Sequence, residues 1–176
     1  MSTKHLLRAA AIAAALVTIP SFAAAQSSGT LTVTATVESS IGMTFENDAA
    51  GVALTGASTN AATMALGAIS AYNTIATANV NRTVSASDFT VSSLFGVKVV
   101  KANSSSSNYT LAAALGSADS TNTWRINSTT LTTVPQNLGT TYGYNSAVAH
   151  TVYLTVPLTA STGAISKVLN FTATAN

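Results

Sequence analysis

The chain has 176 residues, of which 47% are hydrophobic and only 7% are charged. It contains no cysteine, which excludes disulfide bridges, thiolate metal sites and a cysteine nucleophile. Its formal charge of +2 resides in Lys4 and Arg8, because the other five of its seven basic residues balance the five acidic ones. This balance argues against nucleic acid as a partner.

The first 25 residues are typical of a Sec-type export signal. Lys4 and Arg8 precede an uninterrupted apolar run at 9–17, and Ala23-Ala24-Ala25 offers the small residues that signal peptidase cuts. We therefore predict a cleavable signal helix over 1–25. One domain is then expected over 26–176, in the periplasm, at the cell surface or outside the cell. Since the apolar run is too short to anchor in a bilayer, we expect no stable membrane span after cleavage.

The sequence TLTVTATV at 30–37 alternates apolar residues with threonines, which predicts a strand with one apolar face. The residues on that face are Leu31, Val33, Ala35 and Val37. No charge occurs in this segment. Two alternatives stay open: the strand pairs inside its own domain, or it completes the sheet of a neighbouring copy by β-strand addition.

Further alternating segments follow in the middle of the chain. They predict strands at 41–45, 63–69, 75–84, 89–101, 109–115, 123–126 and 129–134. The most apolar of them, 89–101, is expected to form two halves joined by a bulge near Gly96. A tight hairpin turn is expected at Asn127-Ser128, with Trp124 closing one end of the core.

The last third alternates most clearly, and it predicts a long terminal hairpin of strands 148–157 and 165–173. About nine short strands separated by Gly, Ser and Asn turns predict an all-β fold, an antiparallel immunoglobulin-like β-sandwich. Helix is the competing interpretation of the alanine-rich stretch 60–71. Glycine and threonine interrupt that stretch, and no 3.6-residue apolar stripe lasts three turns.

The ionisable residues do not predict an enzyme. His150 is the one histidine after residue 25, and a position at the edge of the core is favoured over a Ser–His–Asp triad with Asp88 or Asp119. No Gly-x-Ser-x-Gly motif is present. Five scattered acids give no glycosidase pair, and Glu46-Asn47-Asp48 favours a turn over a calcium site. We expect no catalysis, no metal and no cofactor.

Two tyrosines raise the question of sugar binding. Tyr142 and Tyr144 would point the same way on an extended chain, so they are candidates for a platform that stacks on a surface glycan. We favour the interpretation that these two tyrosines pack at the rim of the core over the interpretation that they bind a glycan.

Two parts of the chain resemble small exported bacterial domains of the pilin-like and spore-coat-U-like kind. They are the alternating strand after the export signal and the closing strands, from Ala149-His150-Thr151-Val152-Tyr153 through Gly163 to Asn170-Phe171-Thr172. The resemblance implies an immunoglobulin-like sandwich that acts as a surface or fimbria-like structural subunit. The chain departs from the pattern by lacking a disulfide and by having a complete final strand. Because the final strand is complete, the fold has less need of an open groove that a donor strand from another copy would fill.

The expected function is therefore an exported structural or adhesive surface protein that assembles like a fimbria by edge-strand pairing between copies. The donated side chains would be Leu31, Val33, Ala35 and Val37. The alternative is an extracellular carbohydrate-binding module that uses Tyr142 and Tyr144. The expected partners are accordingly a second copy of the chain or a surface glycan.

Overall fold

The computed structural model describes residues 29–176, so the export signal predicted over 1–25 lies outside the described residues. The chain divides into two units after Ala35. Residues 29–35 have no regular structure, and every strand of the described chain lies in the unit Thr36–Asn176. That unit is an antiparallel β-sandwich, which confirms the predicted all-β class. Across residues 29–176, no helix has the length and hydrophobicity to cross a membrane.

Residues 29–176 contain eleven strands. They are β1 (Ser40–Glu46), β2 (Leu54–Thr55), β3 (Thr63–Met64), β4 (Asn81–Val84), β5 (Asp88–Ala102), β6 (Tyr109–Leu115), β7 (Thr123–Ile126), β8 (Thr129–Thr130), β9 (Gln136–Tyr142), β10 (Ala147–Pro157) and β11 (Leu169–Ala175).

The strands form two main sheets. The large sheet has the order β1-β5-β10-β7-β8, and β4 shares with β1 the edge of β5 that faces away from β10. The small sheet has the order β11-β6-β9, and β2 and β3 form a separate short hairpin. All of these pairings are antiparallel.

Strand β5 is the centre of the large sheet and supplies much of the core. Phe89, Val91, Phe95, Val97 and Val99 alternate along it and are all buried. Since successive side chains of a strand point to opposite faces, this single parity turns one face of β5 into the sandwich. The buried residues of β6, β7 and β10 complete the core from both sheets.

A buried serine on β5 holds the long connection between β1 and β4. The Ser93 hydroxyl accepts a hydrogen bond from the Val52 amide at 2.8 Å and donates one to the Asn79 carbonyl at 3.0 Å. The Asn79 side-chain amide donates in turn to the Gly51 carbonyl at 2.8 Å. A serine therefore occupies a core position because it pairs the buried Val52 amide and bonds the connection at Asn79.

The bulge predicted near Gly96 was wrong. The register of β5 with β10 runs through Gly96 without a shift, and the register with β1 is regular up to its last pair, Glu46 with Gly96. A side chain at this position would lie 3.1 Å from the Cβ of Glu46 and 3.4 Å from the Cβ of Ala147. The glycine therefore allows the neighbouring strands to approach closely.

The predicted terminal hairpin was also wrong. Both of its strands form, as β10 and β11, but they do not pair with each other. β10 pairs with β5 and β7, whereas β11 crosses to the small sheet and pairs with β6. Alternation predicts that a segment is a strand, but it does not predict with which other strand that segment pairs.

Other predicted strands are present but shorter. Only Thr63–Met64 of the segment 63–69, and only Asn81–Val84 of the segment 75–84, are strand. The hairpin turn at Asn127-Ser128 is confirmed by the pairing of β7 with β8, and Asn127 has a φ of 52°. Left-handed backbone of this kind is what asparagine tolerates in a tight turn.

The strand predicted over 30–37 is not formed. Residues 29–39 have no regular structure, and the side chains of Leu31, Val33 and Val37 are 75–87% exposed. An extended segment gains stability as a strand only when a neighbour takes its main-chain hydrogen bonds and covers its apolar face. No strand forms from this segment in the described chain.

Gly51 provides a test of the packing between the long connection and β5. A Cβ at Gly51 would lie 1.9 Å from the Leu94 carbonyl oxygen, which is main chain and cannot move aside. We expect Gly51→Ala to lower the free energy of unfolding by at least about 2 kcal/mol, measured by urea denaturation. Gly143→Ala is the matched control, because nothing lies within 4 Å of its Cβ position, and it should change stability by less than about 0.5 kcal/mol. Equal stability of the two variants would contradict this account.

Candidate functional site

The sandwich contains an open groove of about 990 Å³ within the unit Thr36–Asn176. Phe95, Trp124, Val152 and Leu154 of the large sheet form its floor. The segment 60–69, which includes β3, and the irregular segment 163–168 form its walls, and Leu169 and Phe171 of β11 border it. Its lining is mainly apolar, so the groove suits an uncharged, largely apolar occupant.

Three phenylalanines line the groove and join the two sheets. The rings of Phe45 on β1 and Phe171 on β11 meet edge to face, with centroids 5.2 Å apart. Phe95 of β5 lies 5.7 Å from Phe171 and 6.4 Å from Phe45. Edge-to-face contacts of this kind are favourable between aromatic rings. They connect β1 with β11, although no strand pairing joins these two strands in residues 29–176.

The outer edge of β11 carries main-chain groups that no other described strand pairs with. The Val168 carbonyl accepts the Gly116 amide at 2.8 Å, and the Asn176 amide donates to the Asn108 carbonyl at 3.2 Å. In an antiparallel pair, alternate residues turn their main-chain groups to the partner. The even-numbered residues from 168 to 176 therefore face β6. The N–H and C=O groups of the remaining residues face outward, at Leu169, Phe171, Ala173 and Ala175.

A hydrogen-bonded aspartate supports the groove floor at Trp124. The Asp119 carboxylate accepts bonds from the Trp124 indole N–H at 2.8 Å and from the Asn122 and Thr121 main-chain amides at 2.9 and 3.1 Å. Burial would raise the pKa of Asp119, but these donors and the Asn122 side-chain amide hold it well below its usual range. Asp119 is thus a structural anion that fixes the indole, which belongs to the buried core and also borders the groove.

The predicted donor residues lie outside this groove lining. Leu31, Val33, Ala35 and Val37 are exposed and belong to the segment without regular structure. The structure does not gather them with other residues of the chain into a site. The groove itself was missed by sequence reasoning, because its lining residues come from segments far apart in the sequence.

Tyr142 and Tyr144 are half-buried and lie against the fully buried Tyr109, at ring distances of 5.6 and 5.3 Å. Their hydroxyls donate to the Leu138 and Asn108 carbonyls, at 2.9 and 3.0 Å. The two residues do share one side of the chain, and their polar ends are bonded to the protein. A glycan platform at these residues stays a prediction.

His150 is fully buried, deeper than the core-edge position expected from the sequence. Its Nδ1 lies 3.1 Å from the Asn127 side-chain amide, and its Nε2 has no hydrogen-bond partner among the described residues. The rings of Phe95 and Tyr142 lie 5.9 and 5.6 Å away. Burial lowers the pKa of His150 below its ordinary value of 6.5, so the ring is neutral in the fold.

The acidic residues between β1 and β2 form a turn. The Asp48 carboxylate accepts the Ala50 amide at 2.9 Å, and the Asn47 side chain accepts the Leu54 amide at 2.7 Å. Glu46 accepts hydrogen bonds from the Thr44 and Ser58 hydroxyls, which lower its pKa. Within residues 29–176 no three His, Cys, Asp or Glu residues lie together in a way that could hold a metal ion.

Comparison of the chain with protein-family models, with curated proteins and with solved structures finds no match in any of the three. Function must therefore be inferred from the sequence and geometry of this chain.

The buried, neutral His150 predicts a stability that depends on pH. The unfolded chain takes up a proton near pH 6.5, whereas the folded chain resists protonation to lower pH, so stability rises with pH across this interval. We expect the free energy of unfolding to be highest above about pH 7 and to fall as the pH is lowered through 6.5. Urea denaturation at pH 7.5 and 5.5 measures the difference.

His150→Phe is the control for this effect, since it retains a ring and removes the titrating group. The difference in stability between pH 7.5 and 5.5 should largely disappear in this variant. The same difference in both proteins would show that His150 is not its source.

Proposed function

We propose that the chain is an exported structural protein of the bacterial surface, whose copies assemble by strand donation. The segment 30–37 of one copy would lie along the outer edge of β11 in a second copy, with Leu31, Val33, Ala35 and Val37 turned into the groove. The protein would then serve as a fimbria-like structural or adhesive subunit, not as an enzyme. One observation carries the proposal: an alternating apolar segment without a partner occurs together with an open apolar groove beside an unpaired strand edge.

Pairing with a partner would stabilise the donor segment, residues 30–37, by burying its exposed apolar side chains. Leu31, Val33 and Val37 are 75–87% exposed, and burying such a side chain contributes about 1.5–3 kcal/mol. The threonines between them suit the opposite, solvated face of an added strand. Pairing would therefore bury the apolar face without burying a polar one.

The outer edge of β11, here called the acceptor edge, can supply the main-chain hydrogen bonds and the apolar face that the donor segment needs. The outward N–H and C=O groups of Leu169, Phe171, Ala173 and Ala175 can form a main-chain ladder. The side chains of Leu169, Phe171 and Ala173 are half-buried toward the core, so an added strand would extend the apolar face of the small sheet.

Neither the segment 30–37 nor β11 carries the charges that usually block pairing at a sheet edge. Exposed edges are commonly protected by lysine, by proline or by inward-pointing charged residues. The sequences TLTVTATV at 30–37 and LNFTATA in β11 contain none of these residues. This absence of protection favours association between copies.

Val33→Lys tests the proposal with Thr34→Lys as its matched control. A lysine at Val33 would enter the groove and should leave monomers, because burying an unpaired charge is costly. A lysine at Thr34 lies on the solvated face of the added strand and should leave assembly unchanged. Sedimentation velocity and electron microscopy of the exported protein without its signal measure both, and urea denaturation checks that each variant folds.

Polymers of Val33→Lys that sediment like the unsubstituted protein would contradict strand donation. An unsubstituted protein that stays monomeric, with slow hydrogen exchange at residues 30–37, would indicate instead that the segment pairs within its own chain.

A further inference from the structure

The outer face of the large sheet, which points away from the core, carries a row of four threonines. Thr90 lies between the buried Phe89 and Val91 on β5, so its side chain points outward. Directly opposed residues of neighbouring strands share a face of the sheet. The strand registers therefore place in one row with Thr90 the side chains of Thr83 on β4, Thr155 on β10 and Thr123 on β7. Because neighbouring strands lie about 4.8 Å apart, this row spans about 14 Å.

A second polar row runs beside the first on the same face. It consists, from β4 across to β8, of Asn81, Ser92, Tyr153, Arg125 and Thr130. The Arg125 guanidinium lies over the Tyr153 ring, 4.7 Å from its centroid, and this contact holds the guanidinium in place. Among residues 29–176, no hydrogen bond or ion pair engages the guanidinium, so its N–H donors remain available to a ligand.

Beside Thr123 and Thr155, this face deepens into a depression of about 470 Å³. Its walls are the segments 86–88 and 157–159, which are joined where the Leu158 amide donates to the Ser87 carbonyl at 2.9 Å. One oxygen of the Asp88 carboxylate accepts the Ser87 hydroxyl at 2.9 Å, and the other has no hydrogen-bond partner in the described chain. The polar side chains that line the depression are Ser87, Asp88, Thr123, Thr155 and Thr159.

The hydrogen-bonding capacity of this face is largely unused by the fold. The Thr90 and Thr155 hydroxyls bond to each other at 2.7 Å. The side chains of Thr83, Ser92 and Thr123 form no hydrogen bond with another described residue. The two rows and the depression thus present both donors and acceptors, and their one cation, Arg125, is balanced by their one anion, Asp88.

We propose that this face, formed by the two rows and the depression, binds a neutral, extended polysaccharide that lies across the strands. Sugar hydroxyls both donate and accept hydrogen bonds, as the side chains of this face do. The spacing between strands is close to the length of one hexose unit in an extended chain, so successive sugars would meet successive hydroxyls of the row. Tyr153 supplies the apolar surface that sugar C–H groups contact.

The proposed site is separate from both sites considered above. It lies on the opposite side of the large sheet from the groove, so it is accessible whether or not copies of the chain assemble. It also differs from the pair Tyr142 and Tyr144, whose hydroxyls are bonded to main-chain carbonyls. The inference therefore does not rest on strand donation, and it assigns a chemical partner to an adhesive surface protein.

Isothermal titration calorimetry of the exported protein without its signal tests the proposal. The neutral probes are cellohexaose and β-1,4-linked mannohexaose, and the acidic probe is a hexamer of alginate. We expect at least one neutral hexasaccharide to bind more tightly than the acidic one, because the site carries no net charge. Binding of neither neutral probe, or tighter binding of the alginate hexamer, would overturn the proposal.

The double variant Thr90→Val/Thr155→Val locates the bound sugar. Valine keeps the shape of threonine, and removal of both members of the bonded pair leaves neither hydroxyl without its partner. We expect the Kd of the neutral probe to rise about tenfold through the loss of two ligand hydrogen bonds. The matched control is Thr172→Val/Thr174→Val, which removes two exposed hydroxyls from β11 and should leave the Kd unchanged. An unchanged Kd in the first variant, or an equal rise in both, would contradict the proposed site.

Val33→Lys separates glycan binding from assembly. This variant, which strand donation predicts to be monomeric, should bind the neutral probe as tightly as the unsubstituted protein does. Its NMR amide signals should shift on titration at 90–92, 123–125 and 153–155. Loss of binding in Val33→Lys, or shifts confined to the groove or to 142–144, would overturn the proposal. An unsubstituted protein that binds the sugar but never assembles would instead contradict strand donation alone.

Discussion

The two sheets of the sandwich end, along one side, on strands that are not hydrogen-bonded to each other. β1 is the edge of the large sheet there and β11 is the edge of the small sheet, and Phe45 and Phe171 make the contact between them. Aromatic rings fill space, but they satisfy no main-chain N–H or C=O group. On β1 the main-chain groups of Phe45 are bonded to Ser58 and Thr59, but the outward groups of β11 have no strand partner in the described chain. This side of the sandwich therefore keeps an apolar interior and, along β11, unused hydrogen-bonding capacity. An extended peptide requires these same two features of its binding site.

The scarcity of charge connects this architecture with the proposed assembly. A β protein ordinarily protects its edges with ionisable side chains, but in this chain threonine, serine and asparagine provide most of the polar surface. These residues keep a strand soluble without preventing it from pairing.

Much of the secondary structure could be predicted from the sequence. The alternation at 41–45, 109–115 and 148–157 corresponds to β1, β6 and β10 within a few residues, since the face to which a side chain points is a local property of the chain. β9 was missed because its residues are mostly half-buried or exposed and do not alternate in hydrophobicity. Strand partners were harder to predict, as the separation of β10 from β11 shows.

The site was predicted only in part. Leu31, Val33, Ala35 and Val37 could be selected as donor candidates, since an uncharged alternating segment is visible in the letters alone. The groove could not be predicted from the sequence, because its lining residues are spread from Phe45 to Phe171. No local sequence pattern indicates that a residue will border an open groove.

The amino-acid sequence by itself determined the all-β class, the position of most strands and the absence of charge from 30–37. The tertiary structure decided which strands pair, left residues 30–37 without strand structure, buried His150 completely and opened the space beside β11. The physical reason is a difference in range. Alternation and charge belong to neighbouring residues, whereas pairing, burial and empty volume depend on how well distant segments fill the space between two sheets.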